Sequence, residues 1–297
     1  NAGSHGAYLV YGEVESGTKQ KLAPGKGHEE ILLVVSGKGA LLSGGERAMI
    51  GEGEAVCLGP DFEGTLEYVA KVGYKHLEGY GLGTDGKFLG KYTAKEYAGV
   101  ISGLGMELKA THCSYTDASK AQQMIEAAKE TGMEHMIVPY TPDNVRQTAD
   151  GWKKVAENYN KMGEMCNKVG LKFGYHNHAF EFEPLDGIIP QELLIESTDA
   201  DKVNFEADLF WVTKGGYDPL KLLKKYPGRI NLFHVKDATP ELEGTTVGKG
   251  IIDFKTIFKA GRADGVQGYF IEDEREDDPF KNIKADYEYM SKQSFAS

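Results

Sequence analysis

The chain is poor in cysteine, and its cysteines are scattered. Cys57, Cys113 and Cys166 are the three in 297 residues, and none belongs to a Cys-x-x-Cys pair. This excludes a disulfide framework and a cysteine zinc site, because both need cysteines at short, repeated spacings. The three residues are therefore expected to be buried thiols.

Long apolar runs and basic clusters are also missing. No stretch reaches the roughly 18 apolar residues that a membrane-spanning helix needs, and residues 1–6 lack the charged and apolar regions of a signal peptide. Lys and Arg number 34 against 45 Asp and Glu, a net charge of −11 without a basic stripe. An acidic surface repels phosphate backbones and anionic lipids, so we predict no nucleic-acid or membrane partner. The predicted compartment is cytoplasmic or, if a leader was removed, periplasmic.

The pattern of apolar residues changes near residue 60. Before it, short β-type segments are separated by glycine-rich turns. After it, apolar strands alternate with amphipathic helices as far as residue 297, the order that builds parallel βαβ units. The seven predicted strands span 74–80, 106–113, 135–140, 171–178, 203–210, 230–237 and 268–274.

Eight strands of this kind would make a (β/α)₈ barrel, and residues 54–58 are the candidate for the missing first one. We therefore predict an α/β chain with a β-rich N-terminal segment, 1–53, and a TIM barrel, 54–297. The alternative is an open doubly wound sheet, which normally carries a glycine-rich phosphate turn between its first strand and helix. The glycine-rich stretch 79–86 is not followed at once by an amphipathic helix, so a loop is the simpler interpretation.

Four successive strands end in residue types that bind metals. His176 and His178 close the first, Asp208 the second, His234 the third and Glu272 the fourth. Reacting groups of a TIM barrel lie at the carboxyl ends of its strands, so these side chains are expected to converge. Imidazoles and carboxylates together suit Mn²⁺, Zn²⁺, Co²⁺ or, less well, Mg²⁺. The sequence therefore predicts one divalent metal ion.

From residue 61 to 295 the chain resembles the sugar phosphate isomerase/epimerase group of xylose isomerase-like TIM barrels. The motifs that carry the resemblance are DFEGTLEYVAKVGYKHLEG, GYHNHAFEFEPLDG, VNFEADLFWVTKGGYDPLKLLKKYPGRI, FHVKD and VGKGIIDF. In that group a divalent metal lies between strands five to eight of the barrel. The resemblance implies that the residues binding it here are His176, Asp208, His234 and Glu272.

One position departs from the group. Its sugar epimerases usually carry a glutamate where this chain has His176, and they use it with the glutamate matching Glu272 as bases on opposite faces of the substrate carbon. Only Glu272 remains here, so epimerisation needs another base, for which His178, Lys236 and Glu206 are the nearby candidates. We expect Glu272 to be the first base. Lys236 either stabilises developing negative charge or forms a plain salt bridge.

Further strand-end residues are candidates for binding substrate. His112 and Tyr140 end two earlier strands and can bind hydroxyl groups, although a structural role suits them equally. Glu206 lies in the same strand as Asp208 and is a further candidate. Trp211 can stack on a sugar face, although a large aromatic residue after a strand is more often part of the core.

The predicted function is a metal-dependent isomerase or epimerase of a sugar or sugar phosphate, which abstracts a proton next to a carbonyl through a metal-bound enediolate. A metal-dependent lyase on oxidised (3-oxo) glycosides, resembling C-glycoside deglycosidases, is the alternative, favoured by the single remaining carboxylate and the β-rich N-terminus. A non-catalytic carbohydrate-binding barrel is the third. In each case the partner is a small carbohydrate, and the sequence is compatible with a homo-oligomer.

Residues 1–60 do not fit that family. His28, Glu30 and Gly37, followed by GEGEAVCLGP, resemble part of a cupin β-barrel. Too few histidines remain for the metal site of a cupin, so no second metal is predicted there. Residues 54–58 suit either a late cupin strand or the first barrel strand. We expect them in the barrel, because without them the barrel exposes two strand edges.

Overall fold

The computed structural model describes residues 62–275 and 278–296, and before them the backbone of four strands. These strands are β1 (Glu30–Leu33), β2 (Lys38–Ser43), β3 (Glu46–Gly51) and β4 (Ala55–Leu58). β1 pairs antiparallel with β4, and β2 with β3, as two separate sheets. The chain divides into two compact units, residues 1–65 and 66–297.

β4 is not a strand of the barrel sheet, so our expectation for residues 54–58 is wrong. Its four residues pair antiparallel with β1, from Ala55 opposite Leu33 to Leu58 opposite Glu30. A short apolar strand carries no signal that distinguishes an antiparallel partner from a parallel one, because either satisfies its backbone groups. The cupin resemblance involves His28 and other residues that lie outside the described part of the chain, and it stays a prediction.

Seven parallel strands of the second unit form one sheet in the order β13-β10-β9-β8-β7-β6-β5. They are β5 (His76–Leu82), β6 (Glu107–Cys113), β7 (His135–Val138), β8 (Lys172–His176), β9 (Val203–Asp208), β10 (Ile230–Val235) and β13 (Gly268–Ile271). The short strands β11 (Asp237–Ala238) and β12 (Gly244–Thr245) pair with each other. The predicted seven strands are all present, and the sheet is a nearly closed barrel, which confirms the fold class.

Helices connect the strands, as the sequence predicts. Those of the described chain are α1 (Phe62–Val72), α2 (Ala94–Gly103), α3 (Gln122–Thr131), α4 (Ala149–Lys168), α5 (Pro190–Ser197), α6 (Leu209–Lys214), α7 (Pro219–Lys225), α8 (Phe254–Asp264) and α9 (Pro279–Met290). Asp218, Asp253 and Asp278 cap α7, α8 and α9 by accepting a hydrogen bond from a first-turn N–H. Among the described residues no helix is both long and apolar enough to cross a bilayer.

The last helix packs against the start of the barrel sheet. The Tyr74 hydroxyl donates to the Ile283 carbonyl at 2.9 Å, and the Tyr287 hydroxyl donates to the Gly73 carbonyl at 3.1 Å. Gly73 has a φ of +126°, and a Cβ there would lie 2.5 Å from the Tyr287 hydroxyl oxygen. The position therefore requires glycine. These contacts bring α9 beside β5, although β5 and β13 do not pair.

The interior of the barrel is layered. Ala110, Ile137 and Leu232 form an apolar cluster with Phe270 packed against it. Side chains alternate along a strand, so residues two positions further on point to the same side. Two positions after Ala110, Leu232 and Phe270 lie His112, His234 and Glu272, respectively. The strand period thus places ionisable side chains on the carboxyl side of the apolar layer.

The loop after β10 is held by one buried carboxylate. Asp237 Oδ2 accepts hydrogen bonds from the N–H of Gly248 at 2.8 Å and of Gly250 at 2.9 Å, and Oδ1 accepts from the N–H of Ala238 and Ile252. A Cβ at Gly250 would lie 2.2 Å from the Ala238 carbonyl oxygen. Asp237 therefore anchors the VGKGII segment and does not take part in the cluster of ionisable groups.

Candidate metal centre

The carboxyl ends of four strands bring three imidazoles and a carboxylate together. His112, His176, Glu206 and His234 are buried, and a ligand atom from each lies within 4.8 Å of all the others. Glu206 Oε2 lies 3.1 Å from His112 Nε2, 3.3 Å from His176 Nδ1 and 3.2 Å from His234 Nε2. We call these four residues the inner group. Two members were predicted as metal ligands and two as substrate-binding residues.

Glu78 of β5 joins the inner group, and the sequence analysis missed it. Its Oε2 lies 3.2 Å from His112 Nε2 and 2.5 Å from His234 Nε2. A carboxylate near the carboxyl end of the predicted strand 74–80 was the available signal, because the reacting groups of a TIM barrel lie at that end of its strands.

A second group of possible ligands lies on the other side of His234. We call Asp208, His234 and Glu272 the outer group. His234 Nδ1 lies 3.3 Å from Glu272 Oε2 and 4.0 Å from Asp208 Oδ2. His176, predicted as a ligand in the same set, contacts Glu206 and belongs to the inner group instead.

Asp208 carries the observation that fits a metal ion in the outer group. Its Oδ1 caps α6 by accepting from the Trp211 N–H at 2.8 Å. Its Oδ2 is buried and, among the described residues, has no hydrogen-bond partner. Burying a carboxylate oxygen without a partner is costly unless a cation pairs with it. Two carboxylates and one imidazole nitrogen therefore fit a divalent ion.

Burial and charge set the protonation of these groups. Burial raises the pKa of Asp208 to about 7. Burial also opposes ionisation of Glu272, but the hydrogen bond and charge of His234 outweigh it and hold the pKa of Glu272 below its usual range. Burial lowers the pKa of His176 to about 3. At neutral pH Glu272 is therefore a carboxylate and His176 is neutral.

Lys236, His178 and Trp211 lie beside Glu272. Lys236 Nζ is 3.9 Å from Glu272 Oε2, pairs with Glu274 and lies 4.7 Å from the centre of a Trp211 ring. The rings of His178 and Trp211 are 5.4 Å apart. Burial lowers the pKa of His178 to about 4, so its ring is neutral at pH 7. His178 Nδ1 and Trp211 Nε1 are buried and have no hydrogen-bond partner within the described part of the chain.

Tyr140 lies at the rim of the site. It is 43% exposed, and its ring centre is 6.1 Å from that of His178. The Tyr140 hydroxyl donates to Asp143 at 3.1 Å and accepts from Arg146. The Arg146 guanidinium lies 3.5 Å from the centre of the Phe180 ring. Tyr140 and His178 are thus neighbours, whereas His112 lies deeper, against Glu78 and Glu206.

Glu181 positions the backbone of His178 and was not predicted. Glu181 Oε2 accepts a hydrogen bond from the His178 N–H at 2.8 Å, and Oε1 accepts one from the Tyr175 hydroxyl. The residue is fully buried, and burial raises its pKa to about 7. Its place in the motif GYHNHAFEFEPLDG, three residues after His178, was the signal available.

Replacing Glu181 with Gln is expected to change how stability depends on pH. The folded-state pKa of Glu181, about 7, lies above its ordinary value of 4.5, so the folded protein binds the proton more tightly than the unfolded chain. The wild type should therefore lose about 2.5 kcal/mol more stability than Glu181→Gln as pH rises from 5 to 8. Urea unfolding of both proteins at pH 5 and pH 8 measures this difference. Parallel pH profiles would contradict it.

Comparison with known proteins places this chain in a family. The family model for the xylose isomerase-like TIM barrel matches residues 66–293. The chain belongs to the xylose isomerase-like TIM barrel family. This confirms the resemblance that the sequence motifs indicated. The family in turn accounts for the strand-end ionisable groups, because TIM-barrel enzymes carry their active sites at that end.

The similar proteins include a sugar phosphate isomerase/epimerase, as predicted, and dehydratases, which differ from the predicted lyase on oxidised glycosides. A sugar phosphate isomerase/epimerase structure from Parabacteroides distasonis ATCC 8503 is 27% identical with a TM-score of 0.71, covering 80% of this chain and 90% of that one. The inosose dehydratase of Geobacillus thermodenitrificans (strain NG80-2) is 29% identical over 132 residues, 38% of this chain and 43% of that protein. The chain thus matches less than half the length of that curated relative.

A second similar structure holds a metal. It is the IolI protein with a bound zinc atom, 15% identical with a TM-score of 0.60, covering 77% of this chain and 91% of that one. At this identity the likeness concerns the fold alone.

Proposed function

We propose that this protein is a metal-dependent enzyme that removes a proton next to the carbonyl of a carbohydrate-derived ketone. The observation that carries the proposal is the setting of Glu272. Its side chain is 30% exposed, whereas those of Asp208 and Glu206 are fully buried. It is held ionised by His234 at 3.3 Å and lies 3.9 Å from Lys236. A carboxylate that is both ionised and accessible suits the role of general base.

The outer group supplies the ligands of the proposed cofactor. Asp208 and Glu272 offer carboxylate oxygens and His234 offers Nδ1. A divalent ion bound there would polarise the carbonyl oxygen of the substrate. A carboxylate has two oxygens, so Glu272 can serve as a ligand with one and accept the proton with the other. With an ion bound at Nδ1, the carboxylates of Glu78 and Glu206 on the far side of the ring would accept from the protonated Nε2 of His234 and so keep Nδ1 directed toward the outer group.

Elimination of water is the outcome that this set of side chains supports best. Glu272 takes the proton from carbon, and the Lys236 ammonium group donates a proton to the leaving hydroxyl oxygen, so that water departs and a carbon–carbon double bond forms. Both groups lie on one side of the site, 3.9 Å apart. The inosose dehydratase relatives, named for a cyclic polyhydroxy ketone, support a substrate of that class.

Epimerisation or isomerisation is the second candidate. The Parabacteroides distasonis isomerase/epimerase structure favours it, since it covers more of this chain than the dehydratases do. Epimerisation needs a second base on the opposite face of the substrate carbon. The low pKa of His178, about 4, makes that imidazole a weak base. His176 contacts Glu206 and is buried. Neither replaces the missing glutamate well, so lyase chemistry is our first choice.

Proton exchange with solvent tests the proposal. The wild type is loaded with Mn²⁺, Co²⁺ or Zn²⁺ and incubated in D₂O with inososes, ketose phosphates and 3-oxo-glycosides. We expect metal-dependent deuterium incorporation next to the carbonyl of one class, with an unsaturated ketone as product if the enzyme is a lyase and an epimer or isomer if it is not. Unaltered sugars that bind without exchange would instead support the non-catalytic barrel.

A further inference from the structure

His234 presents its two ring nitrogens to two different sets of ligands. Nδ1 faces Glu272 and Asp208 of the outer group. Nε2 faces Glu206 at 3.2 Å and Glu78 at 2.5 Å. The two nitrogens of an imidazole point away from each other, so His234 cannot direct both at one ion. A single ion in the outer group therefore leaves the inner group without a cation.

The inner group has the spacing of a metal site. Glu206 Oε2 lies 3.1 to 3.3 Å from a nitrogen of His112, His176 and His234. In a tetrahedral site with bonds of about 2.0–2.1 Å, neighbouring ligand atoms lie about 3.3–3.4 Å apart. Glu206 Oε2 thus lies at close to the distance that a shared ion requires from nitrogens on three other strands, and all four ligand atoms lie within 4.8 Å of one another.

Buried oxygen atoms without partners give a second, independent observation. Glu206 Oε1 and Glu78 Oε1 are both buried and lack a hydrogen-bond partner among the described residues. The other oxygens of these two carboxylates converge on one nitrogen, His112 Nε2, at 3.1 and 3.2 Å. A cation bound beside these carboxylates would satisfy the oxygen atoms that now lack a partner in a buried site.

We propose that the inner group binds a second divalent ion through His112, His176, Glu206 and Nε2 of His234. The ion displaces the Nε2 proton to solvent, so that with both sites filled His234 bridges the two ions as an imidazolate. Three imidazoles favour Zn²⁺ or Co²⁺ over Mg²⁺, whereas the oxygen-rich outer group suits Mn²⁺ as well. His112 belongs to β6, which pairs with the edge strand β5, and His234 belongs to β10, which pairs with the other edge strand, β13. An ion there therefore holds together the two sides of a barrel whose edge strands do not pair. The proposal of this second ion does not rest on the proposed function.

Metal stoichiometry tests the second site. The chain is stripped with a chelator, equilibrated with Zn²⁺ or Co²⁺, desalted and analysed for metal. Two variants separate the groups: His112→Asn alters the inner group alone, and Asp208→Asn the outer group alone. We expect two ions per chain in the wild type and one in each variant. Zinc should also raise the melting temperature of Asp208→Asn, because that variant keeps the inner site.

The outcomes distinguish this inference from the proposed function. One ion in the wild type, lost in Asp208→Asn and kept in His112→Asn, would show that the inner group is only a hydrogen-bond network and would overturn the second site. One ion lost in His112→Asn and kept in Asp208→Asn would establish the inner site and remove the metal from the proposed function. One ion lost in both variants, or no ion at all, would also overturn the second site. Glu206→Gln serves as a further inner-group variant if His112→Asn does not fold.

Discussion

Glu272→Gln is expected to lower kcat about 10²- to 10⁴-fold, because an amide cannot accept the proton that the carboxylate takes from carbon. The amide keeps the size of the side chain and can still hydrogen-bond to His234 Nδ1, which lies 3.3 Å from Glu272 Oε2. The barrel should therefore fold as before. Solvent deuterium exchange into the substrate, measured with the metal-loaded variant, is the direct readout.

Glu274→Gln is the matched control for that substitution. Glu274 also pairs with Lys236, and its side chain is 45% exposed. The same chemical change two residues away should leave exchange within a few-fold of wild type, because no reacting proton passes through Glu274. If Glu272→Gln still exchanged deuterium at the wild-type rate, another group would have to be the base.

Asp208→Asn is expected to release the outer ion and to reduce activity roughly a thousandfold. The loss corresponds to about 4 kcal/mol of stabilisation that a bound divalent ion contributes to the developing negative charge. The asparagine carbonyl can still accept from the Trp211 N–H, which Asp208 Oδ1 does at 2.8 Å, so α6 should keep its cap. Elemental analysis and single-turnover kinetics at high metal concentration measure the two effects.

Asp218→Asn is the control for Asp208→Asn. Asp218 caps α7 by accepting from the Leu220 N–H at 2.8 Å, so the two aspartates share the capping role, but Asp218 is exposed. The metal content of Asp218→Asn should equal that of the wild type. Wild-type metal content and activity in Asp208→Asn would count against the outer group as the site of a catalytic ion.

The sequence predicted the barrel well because its signals are local. Each strand from β5 to β13 that joins the main sheet is a short apolar run between amphipathic helices, and that alternation depends only on neighbouring residues. The strand period also placed His234 and Glu272 on one side of the sheet. The interpretation of residues 54–58 failed for the opposite reason, since the partner of a strand lies elsewhere in the chain.

The candidate site was likewise predictable only in part. The residue types and the strand ends of His176, Asp208, His234 and Glu272 could be read from the chain, and the metal-binding interpretation followed from them. That His176 would contact Glu206 rather than Asp208, and that Glu78 would reach His234 across the barrel, could not. Such contacts depend on the order of the strands and on the rotation of each ring, which packing decides.

The sequence by itself determined which side chains would lie at the carboxyl ends of the strands, because side-chain direction alternates with a period of two residues. Only the tertiary structure decided that these side chains divide into two groups on opposite nitrogens of His234. The reason is geometric: a ring can satisfy two sets of partners only when strands distant in the chain bring both sets to its opposite sides.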